Sequence, residues 1–162
     1  AMRVADVMSR ALRTCTPEDD LGKAAAQMWE GDCGILPVVR GRRVVGVVTD
    51  RDICMGVALK GCRPADRRVA EVMTREVYSC VSNDEVGDAL ETMADRRVRR
   101  LPVIDGEELV GIVSMNDIVT HCQRHGRPSA REVIAAMKSI CRPRKAAAPV
   151  AEQIPTRRPT AA

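Results

Sequence analysis

The apolar residues of this chain recur in two rhythms, and the rhythms alternate. Over Asp19–Glu30 the apolar positions Leu21, Ala24, Ala25 and Met28 fall three and four apart, the period of a helix buried on one face. Around Ile35–Val39, and again over Arg43–Thr49, the apolar run is continuous and β-branched, with Gly41 between the two. That reads as two short strands joined by a turn. A short strand near Leu12–Thr16, ended by Pro17, precedes the helix, and another helix is expected after Thr49. The unit reads β-α-β-β-α.

The same series returns 65 residues later without a gap. "VADVMSR" (Val4–Arg10) meets "VAEVMTR" (Val69–Arg75), "LPVV" (Leu36–Val39) meets "LPVI" (Leu101–Ile104), and "VVGVVTDRD" (Val44–Asp52) meets "LVGIVSMND" (Leu109–Asp117). Cys15 meets Cys80, Gly22 meets Gly87, Met28 meets Met93, and Gly46 meets Gly111. Nineteen of the fifty pairs from Val4/Val69 to Ile53/Ile118 are identical, far above chance, so the chain is an internal duplication. A unit of about fifty residues buries too little surface to be secure alone, which accounts for the doubling. Two such units packed about a pseudo-twofold axis would enclose two related clefts. The expected organisation is repeat 1 over residues 3–60, a Gly- and Pro-containing linker over 61–68, and repeat 2 over 69–125. An extra amphipathic helix follows within 126–141, capped by Ser129 with Glu132 three residues on, and then a disordered basic tail over 142–162.

Composition changes this picture little. The chain has no Phe, one Trp and one Tyr, so its core is aliphatic and base stacking on aromatic platforms is excluded as its main chemistry. Charge is divided unevenly: residues 1–118 carry 17 Lys/Arg against 20 Asp/Glu, whereas residues 119–162 carry 9 against 2. The basicity belongs to the tail. Seven cysteines with no CxxC spacing read as reduced, mostly buried thiols. Ala1 before Met2 reads as a cleavage remnant. No apolar run matches a membrane span, and no signal-peptide pattern is visible, so a soluble cytoplasmic protein without membrane attachment is expected.

The doubled strand end carries the candidate chemistry. Thr49 with Asp52, and Ser114 with Asp117, have the spacing of a capping box, and this alone would account for them. A carboxylate held at a cleft mouth can also accept two hydrogen bonds from the vicinal hydroxyls of a ribose, at about 1.5–3 kcal/mol each. The same helix starts present free N–H groups that favour phosphate. Asp52 and Asp117 would repel a phosphate placed directly on them, so it would sit a few ångströms away beside arginine. The stretch "ADRRVRRLPV" supplies Arg96, Arg97, Arg99 and Arg100, where the first repeat has Gly31, Asp32, Gly34 and Ile35. The two clefts are therefore unequal. Neighbouring strand residues alternate faces, so not all four arginines can point one way.

Taken together, the "VADVM" and "VAEVM" openings, "LPVV" and "LPVI", and the closing "VGVVTDRDI" and "VGIVSMNDI" resemble the cystathionine-β-synthase (CBS) domain family, over about residues 3–120. The tandem arrangement resembles a CBS pair, or Bateman module, here as a stand-alone protein. The resemblance implies an α/β (α+β) fold and a regulatory binding module, not an enzyme. It implies adenosine-containing ligands: AMP, ADP, ATP, S-adenosylmethionine or NAD-type molecules, with no catalytic cofactor required. It carries ribose and phosphate contacts over to Thr49, Asp52, Ser114 and Asp117. Adenine or phosphate contacts carry over to Cys33, Gly34 and Ile35 and to Val98, Arg99 and Arg100. The opening segments contribute near Met8 and Arg10, and near Met73 and Arg75. It further implies a homodimer and a protein target that reads the ligand-bound state. Helix faces around Met28 and Trp29 are candidates for the contact between copies, although core packing is the commoner use of a methionine at helical spacing.

Two other readings compete. The tail charge is the mark of a nucleic-acid or acidic-partner binder, to be weighed against simple solvated disorder. "HCQRH" places His121 and His125 four apart beside Cys122, a zinc-compatible spacing that needs a third ligand such as Cys141; a solvated helix end explains it more simply. Cys15 and Cys80 occupy equivalent strand positions, for which burial is the simple account. No nucleophile has a base at a telling spacing, and no phosphate-cradling GxxxxGK[ST] occurs.

Overall fold

The computed structural model describes residues 2–122 and 128–143. The expectations that concern His125, and all but the first two residues of the 142–162 tail, fall outside that range. Helix α1 is the single turn Val4–Val7, and α2 spans Leu21–Glu30. Strands β1 (Ile35–Arg40) and β2 (Arg43–Thr49) lead into α3 (Asp50–Ala58). The second copy gives α4 (Val86–Arg96), β3 (Arg100–Asp105), β4 (Glu108–Ser114) and α5 (Met115–His121), and α6 (Ala130–Ile140) follows. A 3₁₀ turn at Val69–Glu71 stands where α1 stands in the first copy.

Each helix forms for a legible reason. In α2 the buried positions are Leu21, Ala24 and Met28, and the Asp20 carboxylate accepts the Lys23 N–H at 2.9 Å at its start. In α4 the stripe is Val86, Ala89, Leu90 and Met93. Both helices leave through a left-handed residue that is not glycine: Asp32 (φ 45°) and Arg97 (φ 54°), matched positions. Helix α6 starts as its sequence predicts, with Ser129 and Glu132 in reciprocal capping bonds, and buries Val133, Ala136 and Ile140.

Strands β3 and β4 pair antiparallel, Arg100 opposite Ser114 and Leu101 opposite Val113, with a bulge between Val103 and Ile104. β1 and β2 form the equivalent two-stranded sheet. Gly41 and Gly106, each at φ 64°, make the hairpin turns. The strand expected near Leu12–Thr16 reduces to one parallel bridge, Cys15 to Val38, and its counterpart to Cys80 with Val103. Only the cysteine of each stretch is buried, so little beyond its backbone joins the sheet.

The compact units do not follow the order of the repeats. One unit takes residues 2–12, 41–44 and 76–143 of the described chain; the other takes 13–40 and 45–75. The opening segment of each repeat therefore packs in the unit built on the other repeat. Val4, Val7 and Met8 join the core around Leu101, Val103, Val113 and Ile118. Val69 joins the core around Leu21, Leu36, Val38 and Val48, with Val72 and Met73 packed against it. Val4 and Val69 are both fully buried, and truncating a valine in such a place costs about 2 kcal/mol.

The matched strand glycines admit these segments. Ser9 bridges Ile112 through a pair of backbone hydrogen bonds (2.9 and 3.0 Å), and Thr74 bridges Val47 (both 2.9 Å). A Cβ on Gly111 would lie 2.6 Å from Met8 Sδ and 3.0 Å from the Ser9 carbonyl oxygen. One on Gly46 would lie 2.8 Å from the Thr74 carbonyl oxygen. Glycine inside a strand marks a close backbone approach, and here the approach is the exchanged segment.

Candidate functional site

In the unit built on the first repeat, β2 ends at Thr49 and the chain turns at once into α3. The Thr49 hydroxyl accepts the Asp52 N–H at 3.2 Å and donates to Asp52 Oδ2 at 2.7 Å, while the Thr49 N–H donates to the same oxygen at 2.9 Å. In the unit built on the second repeat, Ser114 and Asp117 repeat this at 3.2, 2.6 and 2.8 Å. The capping box expected from sequence is present twice, with nearly the same dimensions.

Its bonding leaves a defined remainder. Oδ2 of each aspartate already accepts two hydrogen bonds. Oδ1 of Asp52 and of Asp117 has no partner among the described residues. A carboxylate oxygen has two lone-pair positions, so each Oδ1 can take a pair of donors such as two neighbouring hydroxyls. The threonine or serine proton is committed to the carboxylate, so that hydroxyl offers a ligand only a lone pair. Both aspartates are half-buried, which strengthens such bonds relative to open water.

The segments before "LPV" lie beside these helix starts. The Asp50 N–H donates to the Gly34 carbonyl at 3.2 Å, and the Met115 N–H to the Arg99 carbonyl at 2.9 Å. Arg100 sits directly opposite Ser114 in the sheet. Arg99 and Arg100 therefore share a unit with Asp117, a point the sequence left open. Cys33 and Val98 end their helices, their N–H groups donating to Met28 and Met93 carbonyls at 3.0 Å. Gly34 is confined by charge: a Cβ there would lie 3.0 Å from Asp50 Oδ2. The first helix mouth thus carries Asp50 and Asp52, and the second carries Asp117, with the backbone of Arg99 and Arg100 beside it.

The opening segments also meet these units. Met8 is buried in the core against Gly111, and Met73 is half-buried against Gly46. Arg10 is exposed and its guanidinium donates to the Ala5 carbonyl at 3.2 Å; Arg75 is exposed. Met8 and Arg10 thus belong to the unit of Asp117, and Met73 and Arg75 to that of Asp52. Ile35, half-buried, begins β1 beside Gly34.

Sequence reasoning missed two cations. A cleft of about 590 Å³ runs along α3 from Asp52 past Gly56 and Leu59 to Lys60, with Arg67 on its other wall. The Arg67 guanidinium donates to the Gly56 carbonyl at 3.4 Å and pairs with Glu71 at 3.2 Å, and its Nε is buried without a partner. Arg67 falls in the stretch read as linker and Lys60 is the residue just before it, and a loop reading gives no side-chain direction.

The other candidate groups resolve simply. Burial pushes the thiols of Cys15 and Cys80 up to about 12, with Asp19 adding to the first and Asp84 and Asp105 to the second. Neither is a thiolate near neutral pH, which disfavours a redox sensor at these positions. His121 Nδ1 lies 2.8 Å from the Asp117 carbonyl, and Cys122 Sγ donates to the Pro128 carbonyl at 3.3 Å. No group of three His, Cys, Asp or Glu side chains suited to a metal occurs among the described residues. None of their helices is long and apolar enough to cross a membrane. Met28 is in the core, whereas its neighbour Trp29 is 88% exposed, so only the tryptophan is available as a surface contact.

Comparison with known proteins agrees with this fold. The CBS domain family model matches residues 4–58 and 69–124. CBS domain-containing protein YhcV of Bacillus subtilis is 36% identical over 118 residues, 73% of this chain and 84% of that protein. Hypoxic response protein 1 of Mycobacterium tuberculosis is 34% identical over 140 residues, 85% of this chain and 93% of that protein. The crystal structure of Hypoxic Response Protein I with two coordinated zinc ions superposes with TM-score 0.68 at 32% identity, over 75% of this chain and all of that one. The CBS domain pair of protein MJ0100, crystallised with 5′-methylthioadenosine and S-adenosyl-L-methionine, superposes with TM-score 0.67 at 26% identity, over 74% of this chain and 94% of that one.

Proposed function

This chain belongs to the CBS-domain family, and on that premise we propose that its regulatory module senses adenosine-containing nucleotides. The observation that carries the reading is the unused Oδ1 of Asp52 and Asp117, each fixed by a capping box that engages the other oxygen. The ribose diol bonds to that oxygen. The adenine and phosphate ends run along Cys33, Gly34, Ile35, Met73 and Arg75 in one unit, and along Val98, Arg99, Arg100, Met8 and Arg10 in the other. Phosphate is drawn to Arg99 and Arg100 beside Asp117, and to Lys60 and Arg67 down the α3 cleft from Asp52. The methylthioadenosine and S-adenosylmethionine held by the MJ0100 pair support an adenosyl ligand. Binding shifts the population of conformations, and a protein target reads the shift.

The test is a melting scan with AMP, ADP, ATP, S-adenosylmethionine and NAD. A ligand at a hundred times its dissociation constant adds about 2.7 kcal/mol of stability. For a chain of this size the midpoint rises by roughly 5–10 °C. Asp52→Ala combined with Asp117→Ala is expected to abolish that rise, at a baseline cost of about 1 kcal/mol per lost cap. A rise that survives the double substitution, or no rise with any of the five, overturns the reading.

The protein is further proposed to act as a homodimer with Trp29 at the contact between copies. The matched residue of the second repeat, Ala94, lies under α6, whose Ser139 hydroxyl donates to the Ala94 carbonyl at 3.1 Å. The α2 face has no such helix of its own among the described residues, and a second copy is the occupant assigned to it. Light scattering of the wild type should give twice the chain mass, and Trp29→Glu should reduce it to one.

A further inference from the structure

A groove of about 480 Å³ lies between α4 and α6. Its floor is apolar, with Leu90 and Ala94, and its rim is acidic, with Glu85, Asp88, Glu91 and Glu132. Glu85 is the residue just before α4, and Asp88 and Glu91 follow at three-residue spacing on the helix. Like charges at that spacing repel by a few tenths of a kcal/mol per pair. None of the three forms an ion pair with a described residue. The matched residues of the first repeat are Asp20, Lys23 and Ala26, and Lys23 pairs with Asp19 at 2.6 Å, so the acidic stripe is particular to α4. The helix start favours Glu85 and Asp88, but Glu91 lies beyond the first turn, and a cationic occupant would neutralise the rim that the three form together.

The same chain contains that cation. Residues 144–162 carry Arg144, Lys145, Arg157 and Arg158 against the single acid Glu152, with apolar Val150 and Ile154 between the two basic pairs. They follow α6 in the chain, and the Ser139 hydroxyl near the end of that helix bonds to the Ala94 carbonyl, a residue that lines the groove. Nineteen extended residues reach about 60 Å, several times the roughly 16 Å length of α6, which leaves ample chain to turn back.

We propose that the α4–α6 groove is the docking site of the chain's own residues 144–162, held in cis by their arginines and lysine against Glu85, Asp88 and Glu91. The acidic partner that the basic tail calls for is then on the same molecule, and release of the tail by salt or by a competing polyanion uncovers the groove.

Hydrogen exchange of the full chain, read by mass spectrometry on peptides covering 85–94 and 145–158, tests this. At low salt the 145–158 peptide should exchange roughly five to thirty times more slowly than an unstructured chain, the range that a few exposed ion pairs provide. At 1 M NaCl the protection should disappear. Asp88→Lys with Glu91→Lys should remove it at low salt, and adding Arg157→Glu with Arg158→Glu should restore it. Circular dichroism of each variant separates lost docking from lost folding. Unprotected exchange of 145–158 in the wild type overturns the proposal. So does protection indifferent to the α4 reversal, and so does protection that grows with protein concentration, which would assign the groove to the tail of a second copy.

Discussion

Leu36 and Leu101 are matched residues, both fully buried, yet they sit in cores of different extent. Around Leu101 the described residues bring sixteen buried apolar side chains together; around Leu36 they bring nine. Three of the seven extra side chains come from α6, which lays Val133, Ala136 and Ile140 on the second-repeat unit and has no counterpart over α2 among the described residues. At about 25 cal/mol per Å² of apolar surface removed from water, such a helix is worth several kcal/mol. By burial alone, the first-repeat unit is the one that opens more readily. Against this divergence in packing, the two strand ends barely differ: the three bonds of each capping box agree to within 0.1 Å. Cores, coverings and surface charge drifted after duplication, whereas the geometry around Asp52 and Asp117 did not. The Ser129–Glu132 box at the start of α6 has similar dimensions, so the shared geometry is first of all that of a capped helix start.

The largest effect should come from the position where the two units are most alike. Gly46→Ala drives a methyl group to 2.8 Å from the Thr74 carbonyl oxygen, and backbone cannot step aside. Gly111→Ala meets Met8 Sδ first, at 2.6 Å, and a methionine end can turn away, although the Ser9 carbonyl at 3.0 Å remains. Overpacking of this kind costs about 1–3 kcal/mol. Urea denaturation should place Gly46→Ala near the upper end and Gly111→Ala below it. Equal and negligible losses would mean that the exchanged openings do not press on the strands, and the division into these two units would fail with them.

The strands, helix stripes and caps could be read from the chain because each depends on neighbours within a few residues. Leu21, Ala24 and Met28 declare a helix, and Thr49 with Asp52 declares its cap. The exchange of the openings depends on partners about a hundred residues away for Val4 and Val7, and no local pattern records that. Its one trace was Gly46 meeting Gly111, visible as a match but not as a reason. The first strand shrank to Cys15 because Arg13, Thr14 and Thr16 bury nothing fully. The free Oδ1 was foreseeable as a carboxylate, yet not as one oxygen instead of two, since the cap's claim on Oδ2 is a matter of ångströms. Lys60 and Arg67 were hidden because side chains in and beside a linker take their direction from the fold. Of Met28 and Trp29, the helical stripe already marked Met28 for the core, and adjacent helical residues point about 100° apart, which leaves Trp29 to face solvent.

A smaller effect separates the helix exits. Asp32 and Arg97 both hold left-handed backbone, φ 45° and 54°, where glycine is the usual choice. Aspartate visits that region several times more readily than most residues. Arg97→Gly is therefore expected to raise stability by roughly 0.5–1 kcal/mol, and Asp32→Gly by about half of that. Because these residues aim Cys33–Ile35 and Val98–Arg100 toward the two helix mouths, the gain should be accompanied by weaker nucleotide binding. Tighter binding would mean that the strained exits do not position the site.

The smallest difference appears only in acid. In the second-repeat unit Asp105 accepts the Ser82 hydroxyl at 2.6 Å and the Ser82 N–H at 2.9 Å, and those bonds hold its carboxyl below the ordinary value of 3.8. The matched pair in the first-repeat unit is Arg40 and Pro17; there Arg40 reaches Glu18 at 2.9 Å in a largely exposed ion pair, worth about 0–1 kcal/mol. A carboxylate whose folded value is depressed adds stability above its unfolded value and loses it as pH falls through the folded one. Stability of the wild type should therefore decline below about pH 4 partly on account of Asp105. Ser82→Ala removes the hydroxyl bond, and the carboxyl moves back toward its ordinary value. Urea midpoints measured at pH 7 and pH 3 should then differ less for Ser82→Ala than for the wild type, with the change residing in the pH 7 value. Some acid slope must remain, because Asp19 beside Lys23 and Asp66 beside Arg63 are also held low. Parallel pH profiles for the two proteins would show that Ser82 is not what keeps Asp105 ionised, and the second-repeat unit would lose its one acid-sensitive distinction from the first.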